Sequence, residues 1–228
     1  MPIEDNAGAR ARILGRIRKA QGRGTGRVSA TEREAISTYL RAHPRGPQPE
    51  LGLATQAERV ARLRAKAEAL SSTSEEVATM ADVPAAVARY LAAHQLATHG
   101  CVWPALAQLD WKGAGLRLES RAPTGDDPVG VTGAFCAIAE TGTLMMLSGP
   151  GTPASGSLLP ETHVAVVPCS RVVAVMEDGW DLARKERGQM PRAVNFISGP
   201  SRTGDIEQTI VLGAHGPYRV HVILVKDI

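Results

Sequence analysis

The sequence predicts an α/β protein with an open, mainly parallel sheet that is flanked by helices and preceded by a helical extension. From Ser71 onward, short apolar segments alternate with helical segments, as in βα units. The segments 164–167 and 172–175 are rich in β-branched residues, which favour strands, and further strands are predicted over residues 129–139 and 219–225. A chain of 228 residues accommodates one such domain and an appendage. We therefore predict a basic helical arm over residues 1–45 and an α/β domain over residues 46–228.

Helix signals dominate the first third of the chain. Ser29 with Glu32, and Thr55 with Glu58, have the spacing of capping boxes and predict the starts of two helices. The first of these helices should end before Pro44, because proline cannot continue a helix. A further helix is predicted before residue 22, where a glycine-rich run begins.

Charge is distributed unevenly along the chain. Residues 1–66 contain 14 Lys and Arg against 6 Asp and Glu, so their net charge is +8, whereas the remainder carries −5. No nucleic-acid recognition motif accompanies the basic arm, and only 4% of the residues are aromatic. We therefore expect no nucleic acid as partner, and interpret the arm as a solvated face or a docking surface for an acidic partner.

The cysteines and the apolar runs indicate the class and location of the protein. Cys101, Cys136 and Cys169 are isolated in sequence, which does not match a zinc site, an iron-sulfur site or a disulfide framework. We interpret them as buried thiols in a reducing cytoplasm. Residues 1–27 lack the apolar core of a signal peptide, and no apolar run reaches membrane-spanning length. A cytoplasmic protein without a membrane span is expected.

Three polar turns are candidates for a ligand site. They are residues 140–143, residues 159–163, and residues 198–207 together with 215–217. Ligands of open α/β sheets bind beyond the carboxyl ends of the strands, so we expect these turns to converge there on one concavity. The candidate ligand-binding residues are Thr141, Gly142, His163, Ser198, Gly199, Ser201, Arg202 and Thr203, and the candidate catalytic residues are Glu140, Asp205 and His215.

The loop after residue 197 has the residue types of an oxyanion site. Hydroxyls, a glycine and the cation of Arg202 suit an anion, whereas Asp205 and Glu207 would repel a phosphate. A small carboxylate or hydroxyl-bearing ligand suits both the cation and the acidic side chains of this loop. Asp205 would then orient the side chains that bind the ligand. A capped turn without a ligand is the alternative.

Two other residue types in these turns allow catalysis or a purely structural role. Glu140 follows a predicted strand at a Thr-Gly turn, where its carboxylate either forms the turn or acts as a base or nucleophile. His163 and His215 adjoin tight turns and are either hydrogen-bonded structural residues or, with Asp205 or Glu140, metal ligands. No helical His pair supports a metal, so none is predicted.

Several of these motifs, in this order, resemble the lactate utilization protein C family, whose shared unit is the LUD domain. The residues that carry the resemblance are Ala139-Glu140-Thr141-Gly142-Thr143-Leu144, Leu159-Pro160 with His163, Ile197-Ser198-Gly199-Pro200-Ser201-Arg202-Thr203 with Asp205-Ile206-Glu207, and Gly213 with His215-Gly216-Pro217. Ile13-Leu14 and Arg16-Ile17-Arg18 are similar to the start of the family. Gly204 stands where the family pattern usually has Ala, a departure that removes one methyl group.

The resemblance implies a fold like that of the NagB, RpiA and CoA-transferase group. It also implies a part in the oxidation of L-lactate to pyruvate, alongside two partner proteins that carry the iron-sulfur clusters, with no cofactor in this chain. The turn at Glu140 is similar to the Ser-Glu-Asn-Gly turn that bears the glutamate nucleophile of CoA transferases. Two alternatives remain open: a free-standing CoA-transferase-like or sugar-phosphate enzyme that uses Glu140, and a non-catalytic scaffold that docks acidic partners through its basic arm.

Overall fold

The computed structural model describes residues 7–23, 28–204 and 211–226. The chain divides into two compact units, Met1–Gln48 and Pro49–Ile228. The first unit contains helix α1 (Ala7–Ala20) and helix α2 (Ala30–Ala42). The predicted capping box of α2 is present: the Glu32 amide donates to the Ser29 hydroxyl at 3.1 Å, and the Ser29 amide donates to the Glu32 carboxylate at 2.9 Å. As predicted, α2 ends before Pro44, with His43 in the left-handed conformation.

Helix α3 (Gln56–Ala69) opens the second unit and begins with the predicted capping box of Thr55 and Glu58. Its inward face buries Val60, Leu63 and Ala67. Helices α4 (Val83–Ala93) and α5 (Met176–Arg187) follow later in the chain. The apolar positions of each helix lie on one side, so burial of that side against a sheet stabilises the helix.

The strands of the second unit form three sheets in the described part of the chain. They are β1 (Thr73–Val77), β2 (His99–Val102), β3 (Arg117–Ser120), β4 (Val129–Gly133), β5 (Cys136–Ile138), β6 (Thr143–Leu147), β7 (Thr162–Pro168), β8 (Val172–Val173), β9 (Val194–Ile197), β10 (Arg202–Thr203), β11 (Val211–Leu212) and β12 (Arg219–Val225). The main sheet has the order β1-β12-β7-β4-β2-β3, and all its pairs are parallel. The second sheet has the order β8-β5-β6-β9, and β10 pairs with β11.

Both faces of the main sheet are covered. On one face, Val87 and Leu91 of α4 pack against Val131, Val164 and Ile223 in a single apolar cluster. On the other face, α3 and the second sheet cover the side chains of β7 and β12. Helix α5 packs on the second sheet, where Ala183 contacts a cluster that also includes Met145. This burial of both faces explains the continuous apolar runs of β7 and β12.

The predicted open parallel sheet with flanking helices is confirmed, but the second sheet was not predicted. The apolar segment 129–139 was expected to be one strand and is two. Ala134 donates its amide to Val166 in the main sheet, whereas Phe135 donates to Met145 in the second sheet. The chain therefore crosses between the sheets at these two residues. A continuous apolar run gives no signal of such a crossing, because both halves are buried.

Candidate functional site

The polar segments 159–161 and 213–217 lie at the amino ends of the main-sheet strands. Glu161 immediately precedes β7, and Pro217 lies two residues before the start of β12. The expectation that these turns extend the carboxyl ends was therefore wrong. The segments lead into parallel strands instead of leaving them, and all strands of that sheet run in one direction.

The turn at Glu140 connects β5 and β6, which are antiparallel neighbours in the second sheet. Gly142 has a φ of +71°, and a methyl group there would lie 2.6 Å from the backbone nitrogen of Ala67 in α3. Only glycine allows this conformation and this approach together. The absence of a side chain at residue 142 thus lets the turn rest directly on the last turns of α3.

The Ser198-Gly199 segment reaches the same helix from another direction. It follows β9, which is antiparallel to β6. Gly199 has a φ of +84°, and a methyl group there would lie 2.4 Å from the carbonyl oxygen of Leu70. Two of the predicted motifs, 55 residues apart at their point of contact, therefore meet beside the carboxyl end of α3.

Three hydroxyls join these motifs. The hydroxyl of Thr143 lies 2.7 Å from that of Thr141 and 2.7 Å from that of Ser198. Thr143 is buried, whereas Thr141 and Ser198 are exposed. Each hydroxyl has one proton, and leaving the proton of the buried Thr143 hydroxyl without an acceptor would be costly. Thr143 therefore donates to one neighbouring hydroxyl and accepts from the other. One terminal hydroxyl then keeps a proton that it can donate to a bound oxygen atom.

Lys66 of α3 adjoins the turn at Gly142. The Cβ atom of Lys66 would lie 2.8 Å from a methyl group at Gly142, and no carboxylate pairs with Lys66 among the described residues. Arg62 lies one helical turn earlier, and its buried Nε atom has no hydrogen-bond partner in the described part of the chain. An unpaired cation beside hydroxyl donors is suited to a carboxylate ligand.

Arg202 has a structural role at this end of α3. Its guanidinium donates to the Leu70 carbonyl at 3.5 Å and to the Ser71 hydroxyl. A cation at a helix carboxyl end stabilises the exposed carbonyls and the helix dipole. The side chain expected to bind a ligand is thus occupied by the protein itself.

The remaining predicted residues of the loop lie beside the strand β12. The Ser201 amide donates to the Pro217 carbonyl at 2.9 Å, and the Gly213 amide donates to the Ser201 carbonyl at 2.9 Å. Thr203 pairs with Val211 in the β10–β11 ladder. The His215 side chain is exposed and has no hydrogen bond or ion pair within the described ranges. Asp205 lies outside the described residues.

A cleft of about 360 Å³ opens at the amino ends of β4, β7 and β12. Gly213 and Gly216 line one side of it, and Asp126, Asp127 and Glu161 line the other. Asp127 pairs with Arg121 at 2.7 Å and Glu161 pairs with Arg219 at 2.7 Å, which leaves the carboxylate of Asp126 without an ion pair among the described residues. The cleft is therefore less suited to an anionic ligand than the hydroxyl chain.

His163 does not line either surface. It is fully buried in β7, where its Nε2 atom lies 2.7 Å from the Thr132 hydroxyl. Burial lowers the pKa of His163 to about 4, so the imidazole is neutral near pH 7. The expectation that His163 lines one concavity with the other candidate residues was wrong, because its side chain is fully buried in the core between the two sheets.

Sequence reasoning missed Thr143, Lys66 and Arg62 as candidate site residues. Thr143 belongs to the motif after Glu140, but its apolar neighbours made it part of a strand. Lys66 and Arg62 were interpreted as the solvated face of α3. The proximity of Lys66 to the turn at Gly142 depends on the tertiary packing of α3, which local spacing does not reveal.

The described residues contain no group of three or more His, Cys, Asp or Glu side chains that could hold a metal ion. None of their helices is both long and apolar enough to cross a membrane.

The family model described as "LUD domain" matches residues 60–225. This range contains α3 from residue 60 onward, the turns at Gly142 and Gly199, and the hydroxyl chain of Thr141, Thr143 and Ser198. The protein belongs to the LUD-domain family. The predicted resemblance is thereby confirmed, although the match gives no roles to individual residues.

Curated relatives of this LUD-domain protein share part of the chain. The lactate utilization protein C of Halalkalibacterium halodurans is 40% identical over 116 residues, which is 50% of each chain. The protein of the same name from Exiguobacterium sp. is 42% identical over 103 residues, or 44% of this chain and 45% of the relative. The matched part thus spans about half the length of these relatives.

A solved structure supports the fold of the LUD domain. The crystal structure of a DUF162 family protein from Deinococcus radiodurans superposes with a TM-score of 0.56 and 22% identity. The superposition covers 75% of this chain and 98% of that protein. At this identity, the likeness concerns the fold alone.

Proposed function

We propose that this LUD-domain protein takes part in lactate utilization as a non-redox component of a system that oxidises L-lactate to pyruvate. The observation that carries this proposal is the 40% identity to a lactate utilization protein C over half of each chain. Oxidation of lactate releases two electrons and two protons, and iron-sulfur partner proteins are proposed to accept the electrons.

The cysteines support a role without a cluster of its own. Burial raises the pKa of the Cys101 thiol to about 11 and that of the Cys136 thiol to about 12. Both therefore remain protonated near neutral pH, and no group of three or more His, Cys, Asp or Glu side chains among the described residues could hold a metal ion. The three cysteines are free thiols, which is in keeping with the reducing cytoplasm that we propose as their location.

The hydroxyl chain is the proposed binding site for a small carboxylate. The free proton of Thr141 or Ser198 would donate to one ligand oxygen, and the ammonium of Lys66 would supply the opposite charge. Glu140 lies in the same turn, half-buried, and its carboxylate accepts no hydrogen bond from the described residues. It is therefore available as a proton acceptor for a ligand hydroxyl, which is the role that we propose for it.

Binding and turnover measurements test this proposal separately. Calorimetric titration of the purified chain with lactate and pyruvate should show binding that is weakened by Ser198→Ala. Ser155→Ala is the matched control, since the hydroxyl of Ser155 has no hydrogen bond within the described ranges. Lactate oxidation should require both this chain and the iron-sulfur partners. Turnover by the isolated chain would contradict the non-redox role.

The alternative enzyme, which would use Glu140 on acyl or sugar-phosphate substrates, makes a different prediction. The chain alone should then convert a CoA ester or a sugar phosphate, and Glu140→Gln should abolish that reaction. We expect no such turnover, so a substantial rate with either substrate class would favour the alternative over the lactate system.

A further inference from the structure

We propose that α1 binds reversibly to the surface of an anionic lipid bilayer. The helix contains five cations and no acidic residue, namely Arg10, Arg12, Arg16, Arg18 and Lys19. Ile13, Leu14 and Ile17 form an apolar stripe along one side. Ile13 is 59% exposed and Ile17 is 46% exposed. A helix with an apolar stripe among basic residues is typical of membrane-surface helices.

The cations of α1 lack partners in the described part of the protein. No carboxylate there lies within ion-pair distance of any of them. In α2, by contrast, Arg41 pairs with Glu34 at 2.7 Å and Arg33 donates to the Val28 carbonyl at 3.1 Å. The charge of α2 is thus largely compensated locally, whereas that of α1 is available for an external anion.

The arrangement of charge around α1 favours a bilayer over a protein partner. At 100° per residue, Arg10 continues the line of the stripe, Arg16 and Arg18 flank it, and Arg12 and Lys19 project on the opposite side. A protein groove would need acidic groups along both rims, and α1 has no aromatic residue to anchor it there. On a bilayer, by contrast, anionic headgroups surround the helix and face its cations, while the apolar interior below them receives the stripe. Long arginine side chains can bury their stems and keep their charges among the headgroups.

A second copy of the chain is a poorer partner for the same helix. Two α1 helices packed through their stripes would bring two sets of unpaired cations together, and such repulsion opposes association. On a bilayer, three apolar side chains bind weakly and so does a short basic segment, so both contributions are needed. Binding of α1 to the bilayer is therefore reversible and requires both its apolar side chains and its cations.

Vesicle flotation of the full-length protein tests the proposal. The protein should float with vesicles that contain about one third phosphatidylglycerol and remain unbound with pure phosphatidylcholine, because only the former attracts the cations. High salt should release it, because salt screens exposed charges. Failure of the wild-type protein to bind the anionic vesicles would overturn the proposal.

Matched variants separate a specific role of α1 from general charge. Arg16→Gln with Arg18→Gln should weaken binding about 30-fold, from the loss of the two cations that flank the stripe near the surface. Ile13→Ala with Ile17→Ala should weaken it about tenfold or more, while alanine preserves helix propensity. The controls on α2 are Arg33→Gln with Arg41→Gln, and Ile36→Ala with Leu40→Ala. Both controls should bind like the wild type.

Two outcomes would contradict the role of α1 even if the wild type binds. If the α1 and α2 charge variants lost the same affinity for anionic vesicles, net charge alone would drive binding. An unchanged affinity of the Ile13 and Ile17 variant, accompanied by a smaller particle in gel filtration, would show that a second copy covers the stripe. Unfolding curves of all variants should match the wild type, because the substituted side chains are exposed.

Discussion

The hydroxyl of Thr143 lies 2.7 Å from that of Ser198, although 55 residues separate them in the chain. This contact joins the turn after Glu140 to the loop after β9. Because Thr143 is buried and Ser198 is exposed, the contact connects the interior of the second sheet to its surface. It shows that the two motifs meet at one place in the fold.

Thr143→Val should disconnect the two motifs. Valine has the shape of threonine but no hydroxyl, so Thr141 and Ser198 each lose a hydrogen bond and gain water in exchange. We expect a loss of about 1 kcal/mol in the free energy of unfolding, measured in urea. Partner-dependent lactate turnover should fall much further. Thr143→Ser keeps the hydroxyl and should retain most of the lactate turnover. If both variants lost turnover equally, the role of the hydroxyl chain would be contradicted.

Local sequence patterns predicted those elements whose signals are local. The capping boxes at Ser29 and Thr55 are side chain to backbone contacts within one helical turn, and both are present. The predicted strand over residues 219–225 coincides with β12, whose apolar run is buried on both faces. Strand β1 was missed because Ser74, Glu75 and Glu76 give it a polar sequence. That sequence is compatible with an edge strand, where one side of the ladder is open.

The site depended on information that local patterns lack. The loops before β7 and β12 are an exception: they were assigned to the wrong edge although a loop that precedes a strand of a parallel sheet lies at the amino end of that strand, whatever the strand order. By contrast, the positions of Gly142 and Gly199 against α3 result from packing between elements distant in the chain. The turns themselves were predicted, since Thr-Gly and Ser-Gly sequences favour them.

Substitution of either turn glycine should destabilise the domain. Gly142→Ala and Gly199→Ala would each place a methyl group within 2.6 Å of the α3 backbone at positive φ. We expect losses of about 2 kcal/mol or more in the free energy of unfolding. Gly151→Ala is the matched control, because nothing lies within 4 Å of its methyl position. Comparable stabilities of all three variants in urea would show that the turns are not held against α3.

The buried imidazole of His163 should make the protein less stable in mild acid. Its pKa is about 4 in the folded state and about 6.5 when unfolded, so the unfolded chain binds the proton more readily. Stability from this group is full above pH 6.5 and falls as the pH decreases toward 4. Between pH 7 and pH 5 the loss should be about 2 kcal/mol.

His163→Gln removes the titrating group and tests that assignment. The variant should lose about 2 kcal/mol less than the wild type between pH 7 and pH 5 in urea unfolding experiments. His221, whose pKa burial also lowers to about 4, contributes in the same direction and remains in both proteins. An identical pH dependence of the variant and the wild type would show that His163 does not become charged on unfolding in this range.

The ammonium of Lys66 should supply charge to the carboxylate ligand without stabilising the fold. Lys66 has no ion-pair partner among the described residues, so Lys66→Gln leaves no buried charge uncompensated. Loss of a charged contact with the ligand should weaken lactate or pyruvate binding by about 10- to 100-fold in calorimetric titrations. Lys185→Gln on α5 makes the same change of net charge and should bind like the wild type. If Lys66→Gln binds equally well, the carboxylate does not lie beside the turn at Gly142.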